Sequence, residues 1–225
     1  MSRGCVCVFA KPPRPGAVKT RLASVLGDDG AAALAGAFLL DTWSTATRMP
    51  GVDVVLAATE VEAPEWRPVH AADVWPQGGG TLGDRLELVL RRALQAHSFA
   101  IAIGTDVPGL PLSRLEDARE ALRTADAVIG PADDGGFYLI GVSTCPRGLL
   151  DTVPWSASDT CARTLARLRQ HHLATTVIAS WFDIDEPADL DTLRRRIRDG
   201  TIHAPATARV LGGEAANANL PRAGV

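Results

Sequence analysis

Five apolar residues, Phe99-Ala-Ile-Ala-Ile103, run without a polar interruption and stop at Gly104-Thr105-Asp106. A run this short and this uniformly apolar fits a strand covered on both faces, as strands are inside a parallel sheet. Pro108 keeps the chain from continuing in a ladder. Asp106 is therefore expected at the carboxyl end of a central strand, where open α/β sheets bind their ligands. A turn-capping aspartate would leave the same trace.

The rest of the chain alternates in the same manner. Gly4–Phe9, Asp53–Thr59, Asp126–Pro131, the end of Ala132–Val142 and Thr175–Ala179 read as strands. Between them lie helical patterns. One carries Leu34, Phe38, Leu39, Thr42, Trp43 and Ala46 on one face, with Asp28 or Asp29 as its cap. A second follows Thr81 with Leu86, Leu90 and Leu94. A third opens on Ser113-Arg-Leu-Glu116, a capping-box pattern, and further helices follow Thr160 and Pro187. This alternation predicts an α/β fold with a mostly parallel sheet between two helical layers, a three-layer sandwich. Residues 1–200 fit a single domain. From Thr201 the composition turns to Ala, Gly, Asn and Pro without periodicity, so 201–225 is expected to be a poorly ordered tail. Glu60–Ala72 is irregular and rich in proline and tryptophan, and no role is legible in it.

Composition removes several classes of function. The 225 residues are 46% hydrophobic and 22% charged, enough for a sizeable core. A formal net charge of −3 argues against nucleic acid as a main partner. No apolar run suggests a membrane span, and Met1-Ser-Arg-Gly4 lacks a signal-peptide layout, so a cytoplasmic protein is expected. Cys5, Cys7, Cys145 and Cys161 have no zinc-ligand spacing and read as buried free thiols. Oligomeric state is not legible.

Polar features cluster after strands. Lys11, Arg14, Lys19 and Arg21 fall within eleven residues that hold three prolines and no acidic residue. A rigid basic loop after a first strand suits phosphate, with Lys11, Gly16, Lys19, Thr20 and Arg21 as candidate contacts. It is not a Walker A loop, because the glycine before the lysine is missing. Gly78, Gly80 and Gly83 formally match a dinucleotide fingerprint, but mid-chain and after Pro76-Gln77. A flexible loop feeding a helix is the better reading, with Arg85 able to approach an anion. Asp133-Asp134-Gly135-Gly136 forms a polar corner, and Asp183 and Asp185 flank Ile184 so that both carboxylates point one way in extended chain. Carboxylates facing cations across one crevice suggest a hard divalent ion together with phosphate oxygens.

Four segments together resemble the DUF2064 family: Phe9–Leu22, Gly104–Leu110, Gly130–Gly141 and Asp183–Leu190. The family is usually described as glycosyltransferases of the GT-A, nucleotide-diphospho-sugar transferase fold, some members being associated with arsenosugar biosynthesis. It is similar to phospholactate or phosphoenolpyruvate guanylyltransferases. The resemblance implies that Lys11, Lys19 and Arg21 hold nucleotide phosphates. It implies that Asp106 holds Mg2+ or Mn2+ with Asp183 or Asp185, and that Asp134, Gly135 and Gly136 line the acceptor side. Ser156 and Ser158 match a region that contacts the small acid in the guanylyltransferases. Gly104-Thr105-Asp106 offers one carboxylate rather than the Asp-x-Asp of many GT-A glycosyltransferases.

Two activities follow. One is glycosyl transfer from a nucleotide-sugar to a small acceptor, with Asp106, Asp134 and Lys19 as the chemical residues and Asp134 the candidate base. The other is nucleotidyl transfer from a nucleoside triphosphate to a small phospho-acid. A non-enzymatic nucleotide-binding protein is the third possibility, and it would not need the carboxylates.

Overall fold

The computed structural model describes residues 3–155 and 157–218. In chain order the elements are β1 (Gly4–Ala10), α1 (Ala23–Thr47), β2 (Val52–Ala58), β3 (Val74–Pro76), α2 (Leu82–Ala93), β4 (Ala100–Ile103), α3 (Leu112–Ala121), β5 (Ala127–Pro131), β6 (Phe137–Val142), α4 (Thr160–Gln170), β7 (Thr175–Val177), α5 (Pro187–Arg198) and α6 (Pro205–Ala218). A 3-10 helix spans Pro64–Val69. The strands form one seven-stranded sheet in the order β3-β2-β1-β4-β6-β5-β7. Only β6 runs against the others, pairing antiparallel with both β4 and β5.

The alternation of side chains along each strand explains the three layers. Val6, Val8, Ile101 and Ile103 face one side, where they pack with Leu39 and Ala46 of α1 and Leu115 and Ala118 of α3. Cys5, Cys7, Ala100 and Ala102 face the other side, against Leu86, Val89 and Leu90 of α2 and Cys161 and Leu168 of α4. All four cysteines are buried and free. Strands enclosed in this way bury apolar residues at every position, which is why they read as uninterrupted apolar runs.

Several expectations need correction. Val74–Pro76 is a strand at the sheet edge, where Pro76 is tolerated because no further strand needs its missing N–H. Pro111, not Ser113, is the N-cap of α3, and no side chain caps it. Of the expected tail at 201–225, Pro205–Ala218 is a helix, with Ile202, Ala204, Ala206, Thr207 and Leu211 buried, and 219–225 lie outside the described residues. Its anchor is Asp41, a buried carboxylate in α1. Asp41 Oδ1 accepts from the Ala206 N–H at 2.9 Å, and Oδ2 accepts from the Thr207 N–H at 2.9 Å and from Thr207 Oγ1 at 2.7 Å. A negative charge at a helix N-terminus satisfies donors that the helix itself cannot. Finally, α1 is long and apolar enough by length and composition to cross a membrane, contrary to the reading of the sequence. Here it is interrupted at Gly27 and is covered on two sides: Leu39 and Ala46 face the sheet, while Leu34 and Phe38 lie with Leu193 of α5 and Leu211 of α6.

At the amino ends of the strands, both ring nitrogens of His97 face acceptors. Nδ1 lies 2.8 Å from the Ala93 carbonyl and Nε2 lies 2.8 Å from Asp53 Oδ2, while Asp53 Oδ1 pairs with Arg3. A neutral imidazole has one N–H, so only the imidazolium satisfies both. Burial disfavours that charge, but the bonds to Asp53 and Ala93 outweigh it and hold the His97 pKa above its ordinary 6.5. A raised folded-state pKa gives stability that is fully present below the unfolded value and lost as pH rises through the folded value. The stability difference between wild type and His97→Gln is therefore expected to be largest below pH 6.5 and to shrink at higher pH. Urea unfolding across a pH series measures it, and a constant difference would contradict the assignment.

Candidate functional site

Because six strands run in one direction, the loops after β1, β3, β4 and β5 emerge at one rim. From β1 the chain moves outward to β2 and β3, then crosses back to β4 on the other side of β1. That reversal leaves a crevice between the loops after β1 and β4, the switch point where such sheets take ligands. A cleft of about 770 Å³ opens there. Phe9, Ala10, Lys11, Lys19, Thr20, Arg21, Gln77, Arg85, Gly104, Thr105, Asp106, Asp134, Ser158 and Asp185 are among its lining residues.

The loop after β1 is shaped by its prolines and by one ion-pair clamp. Arg14 donates to Glu65 Oε1 at 2.7 Å and to both Glu60 oxygens at 2.8 Å. The irregular segment 60–72 thus has a role: it holds the basic loop from the side. Trp66 keeps that segment in place, buried in the core with its indole N–H donating to the Glu60 carbonyl at 2.8 Å. Arg14 is consequently a positioning residue, and its clamp partners lie 46 and 51 residues away in sequence.

Lys19 is the centre of the site. Its backbone is left-handed, with φ of 47°. A non-glycine residue holds that conformation only where its surroundings fix it. The side chain is 6% exposed, with Nζ 5.9 Å above the Phe38 ring. Nζ lies 2.8 Å from Asp106 Oδ1 and 2.6 Å from Asp185 Oδ1, and it donates to the Ile184 carbonyl at 2.6 Å. Burial would lower the Lys19 pKa, but Asp106 and Asp185 outweigh it and raise it above its ordinary value.

The chain from β7 to α5 is steered to this point by backbone bonds. The Trp181 N–H donates to the Pro131 carbonyl at 3.0 Å, and the Ile184 N–H donates to the Asp106 carbonyl at 3.0 Å. Ile184 is buried, so Asp183 and Asp185 on either side of it are left toward the rim. Asp185 does not cap α5. Glu186 is the N-cap, and Asp189 Oδ2 accepts from the N–H groups of Asp185 and Glu186 at 3.0 and 2.7 Å.

Carboxylate oxygens of Asp134, Asp183 and Asp185 lie within 4.8 Å of one another. Desolvation, helped by Asp134 and Asp185, lifts the Asp183 pKa to about 6. This crowding, and the cation that Lys19 places between Asp106 and Asp185, fit the site to a hard divalent ion. Of the expected set, Asp183 and Asp185 cluster with Asp134, while Asp106 joins them through Lys19.

Other expected residues are distributed unevenly. Lys11, Thr20, Arg21, Arg85 and Ser158 line the cleft, whereas Gly16, Gly135 and Gly136 do not. Arg21 pairs with Glu186 at 2.8 Å. Gly135 has φ of +89°, and a Cβ there would lie 1.9 Å from the Ser158 carbonyl oxygen, so this glycine lets the acidic corner pack on the 157–160 loop. The Gly136 N–H donates to Asp134 Oδ1 at 2.7 Å. Ser156 lies outside the described residues. Gln77 was not foreseen. It is buried, its Nε2 donates to the carbonyls of Ala10 and Ala57, and its Oε1 accepts from Arg85 Nη1 at 3.1 Å. Gln77 thereby aims Arg85 into the cleft; the only trace in the sequence was a polar residue closing an apolar strand.

A second cavity of about 490 Å³ adjoins the cleft, and Arg21, Asp134 and Asp185 line both. Asp133, Asp183, Glu186 and Asp189 add carboxylates to it, and Arg196 is stacked 4.1 Å from the Phe182 ring at its wall.

The profile of DUF2064, described as an uncharacterized protein conserved in bacteria, matches residues 42–157, a little over half of the chain. The chain belongs to the DUF2064 family. A crystal structure of a provisionally designated nucleotide-diphospho-sugar transferase from Desulfovibrio desulfuricans G20 is 31% identical, with 96% of each chain covered and a TM-score of 0.87. Two more distant structures share the fold alone. One is CMP:2-keto-3-deoxy-manno-octonic acid synthetase complexed with CTP (14% identity, 88% of this chain and 100% of that one, TM-score 0.56). The other is 4-diphosphocytidyl-2C-methyl-D-erythritol synthase from Anaerococcus prevotii (10%, 88% and 99%, TM-score 0.59). None of the curated proteins matches the chain. This DUF2064 chain thus has the α/β fold of nucleotide-diphospho-sugar transferases that its sequence led us to expect.

Proposed function

We propose that this protein is a divalent-metal-dependent transferase that takes a nucleotide-diphospho-sugar and passes the glycosyl group to a small hydroxyl-bearing acceptor. The observation that carries the reading is the junction of the two cavities at Asp134 and Asp185. One side offers Lys11 and Arg85 to a diphosphate; the other is rich in carboxylates, which hydrogen-bond hydroxyls and repel a phospho-acid. The provisional designation of the similar D. desulfuricans protein as a nucleotide-diphospho-sugar transferase supports the same donor.

In this reading Lys11 and Arg85 bind the donor's phosphates and orient the leaving group. Asp134 keeps one oxygen on the Gly136 N–H and presents the other to the acceptor hydroxyl, from which it takes the proton. Asp106, Asp183 and Asp185 would hold Mg2+ or Mn2+, which when bound supplies charge neutralisation for the departing nucleoside diphosphate. Ser158 lines the cleft with Asp134.

The single carboxylate in Gly104-Thr105-Asp106 favours a second reading, nucleotidyl transfer from a triphosphate. Calorimetry with UDP-glucose, GDP-sugars, GTP and CTP, each with and without Mg2+, separates the two. Metal-dependent binding of a diphospho-sugar is expected. Tight triphosphate binding, with pyrophosphate released on adding a phospho-acid, would replace the first reading by the second.

A further inference from the structure

Of the 23 lysine and arginine side chains, just two are lysines, Lys11 and Lys19, and both line the cleft. An ammonium is a compact point charge on a flexible stem, whereas a guanidinium is a planar fork. Lys19 uses that compactness fully. Its three donors meet Asp106 Oδ1, Asp185 Oδ1 and the Ile184 carbonyl, all within 2.8 Å, so none is left for a phosphate. Two carboxylates and a carbonyl are also the donor set that a hard divalent ion selects. Asp185 is in addition the link to Asp134 and Asp183, the remaining oxygens in reach. Two cations a few ångströms apart on one group of oxygens repel strongly in a partly desolvated site, which favours exchange of one for the other.

We infer that the Lys19 ammonium is the resting occupant of the divalent-cation position, and that metal binding expels it from Asp106 and Asp185 into the cleft, where donor phosphates lie. The inference rests on the metal-dependent reading above. It adds that metal loading and delivery of the lysine are one event. Until then Lys19 neutralises the two carboxylates, so they do not repel a polyphosphate. The left-handed backbone at Lys19 belongs to the resting position, which the three oxygens hold in place.

The test uses Mn2+ alone on the full chain, so it does not depend on which donor the protein uses. Mn2+ affinity, read by electron paramagnetic resonance, is expected to rise about tenfold or more in Lys19→Met. In Arg21→Met, which removes a nearby cation paired with Glu186 instead, the rise is expected to stay below about threefold. In wild type, acetylation of Lys19 followed by mass spectrometry is expected to be slow without metal, because the side chain is 6% exposed, and several-fold faster with saturating Mn2+. Acetylation of Lys11 should not change. Equal affinities in wild type and Lys19→Met, an equal rise in Arg21→Met, or Lys19 acetylation that Mn2+ leaves unchanged or slows would each overturn the inference. The wild-type acetylation arm stands even if a variant does not fold. A failure of diphospho-sugar binding alongside the expected Mn2+ results would overturn the proposed donor and leave this exchange intact.

Discussion

Asp106→Ala is expected to abolish metal-dependent donor binding and to lower turnover by roughly two to three orders of magnitude, the scale of losing one charge-stabilising group at a reacting phosphate. The carboxylate stands at the end of β4, on the central crevice, and its side chain is 55% exposed. Little of the core depends on it, so the thermal midpoint should stay close to wild type. What the substitution removes is one of the two acids that hold Lys19, together with a ligand for the metal. The measurement is calorimetric titration of UDP-glucose and GDP-sugars with and without Mg2+, beside a thermal melt. Wild-type affinity in a folded variant would take Asp106 out of the site. A melt lowered by many degrees would instead give it a structural role.

Asp41→Ala is expected to have the largest effect on stability, about 3 kcal/mol, since it strands donors that now bond a charged acceptor. The bonds to the Ala206 N–H, the Thr207 N–H and Thr207 Oγ1 all go at once, in a place that water does not reach. For a chain of 225 residues this corresponds to a fall in Tm of roughly 6–12 °C. Urea unfolding measures the free energy directly. The effect also reaches the site. α6 packs on α1, α1 carries Phe38, and the Phe38 ring supports the Lys19 ammonium. Loss of α6 docking is therefore expected to weaken donor binding as well as stability. Unchanged unfolding in Asp41→Ala would mean that α6 is held by its apolar contacts alone.

The sequence alone was enough to place the strand ends, and with them most of the residues that line the cleft. Strands covered on both faces must be apolar throughout, so the runs at 4–9 and 99–103 were readable and the polar residues that stop them stood out. Asp106, Lys11, Lys19, Asp134 and Asp185 were found by that logic, and all five line the cleft. Short-range signals such as Thr81, whose side chain accepts from the Asp84 N–H, were readable for the same reason: their partners are three residues away.

What the sequence could not decide was which charges meet, because an ion pair depends on distance in space and a sequence records only separation along the chain. Arg14 and Lys19 share one loop without acids, yet Arg14 is bound by Glu60 and Glu65, while Lys19 reaches 165 residues ahead to the Ile184 carbonyl. Asp41 finds its partners only where α6 lies over it, and α6, rich in Ala and Gly and without periodicity, read as a tail. Strand composition follows from local burial, which every residue carries in its own side chain. The pairing of cations with carboxylates follows from the path of the loops across the sheet, and only the folded chain contains that path.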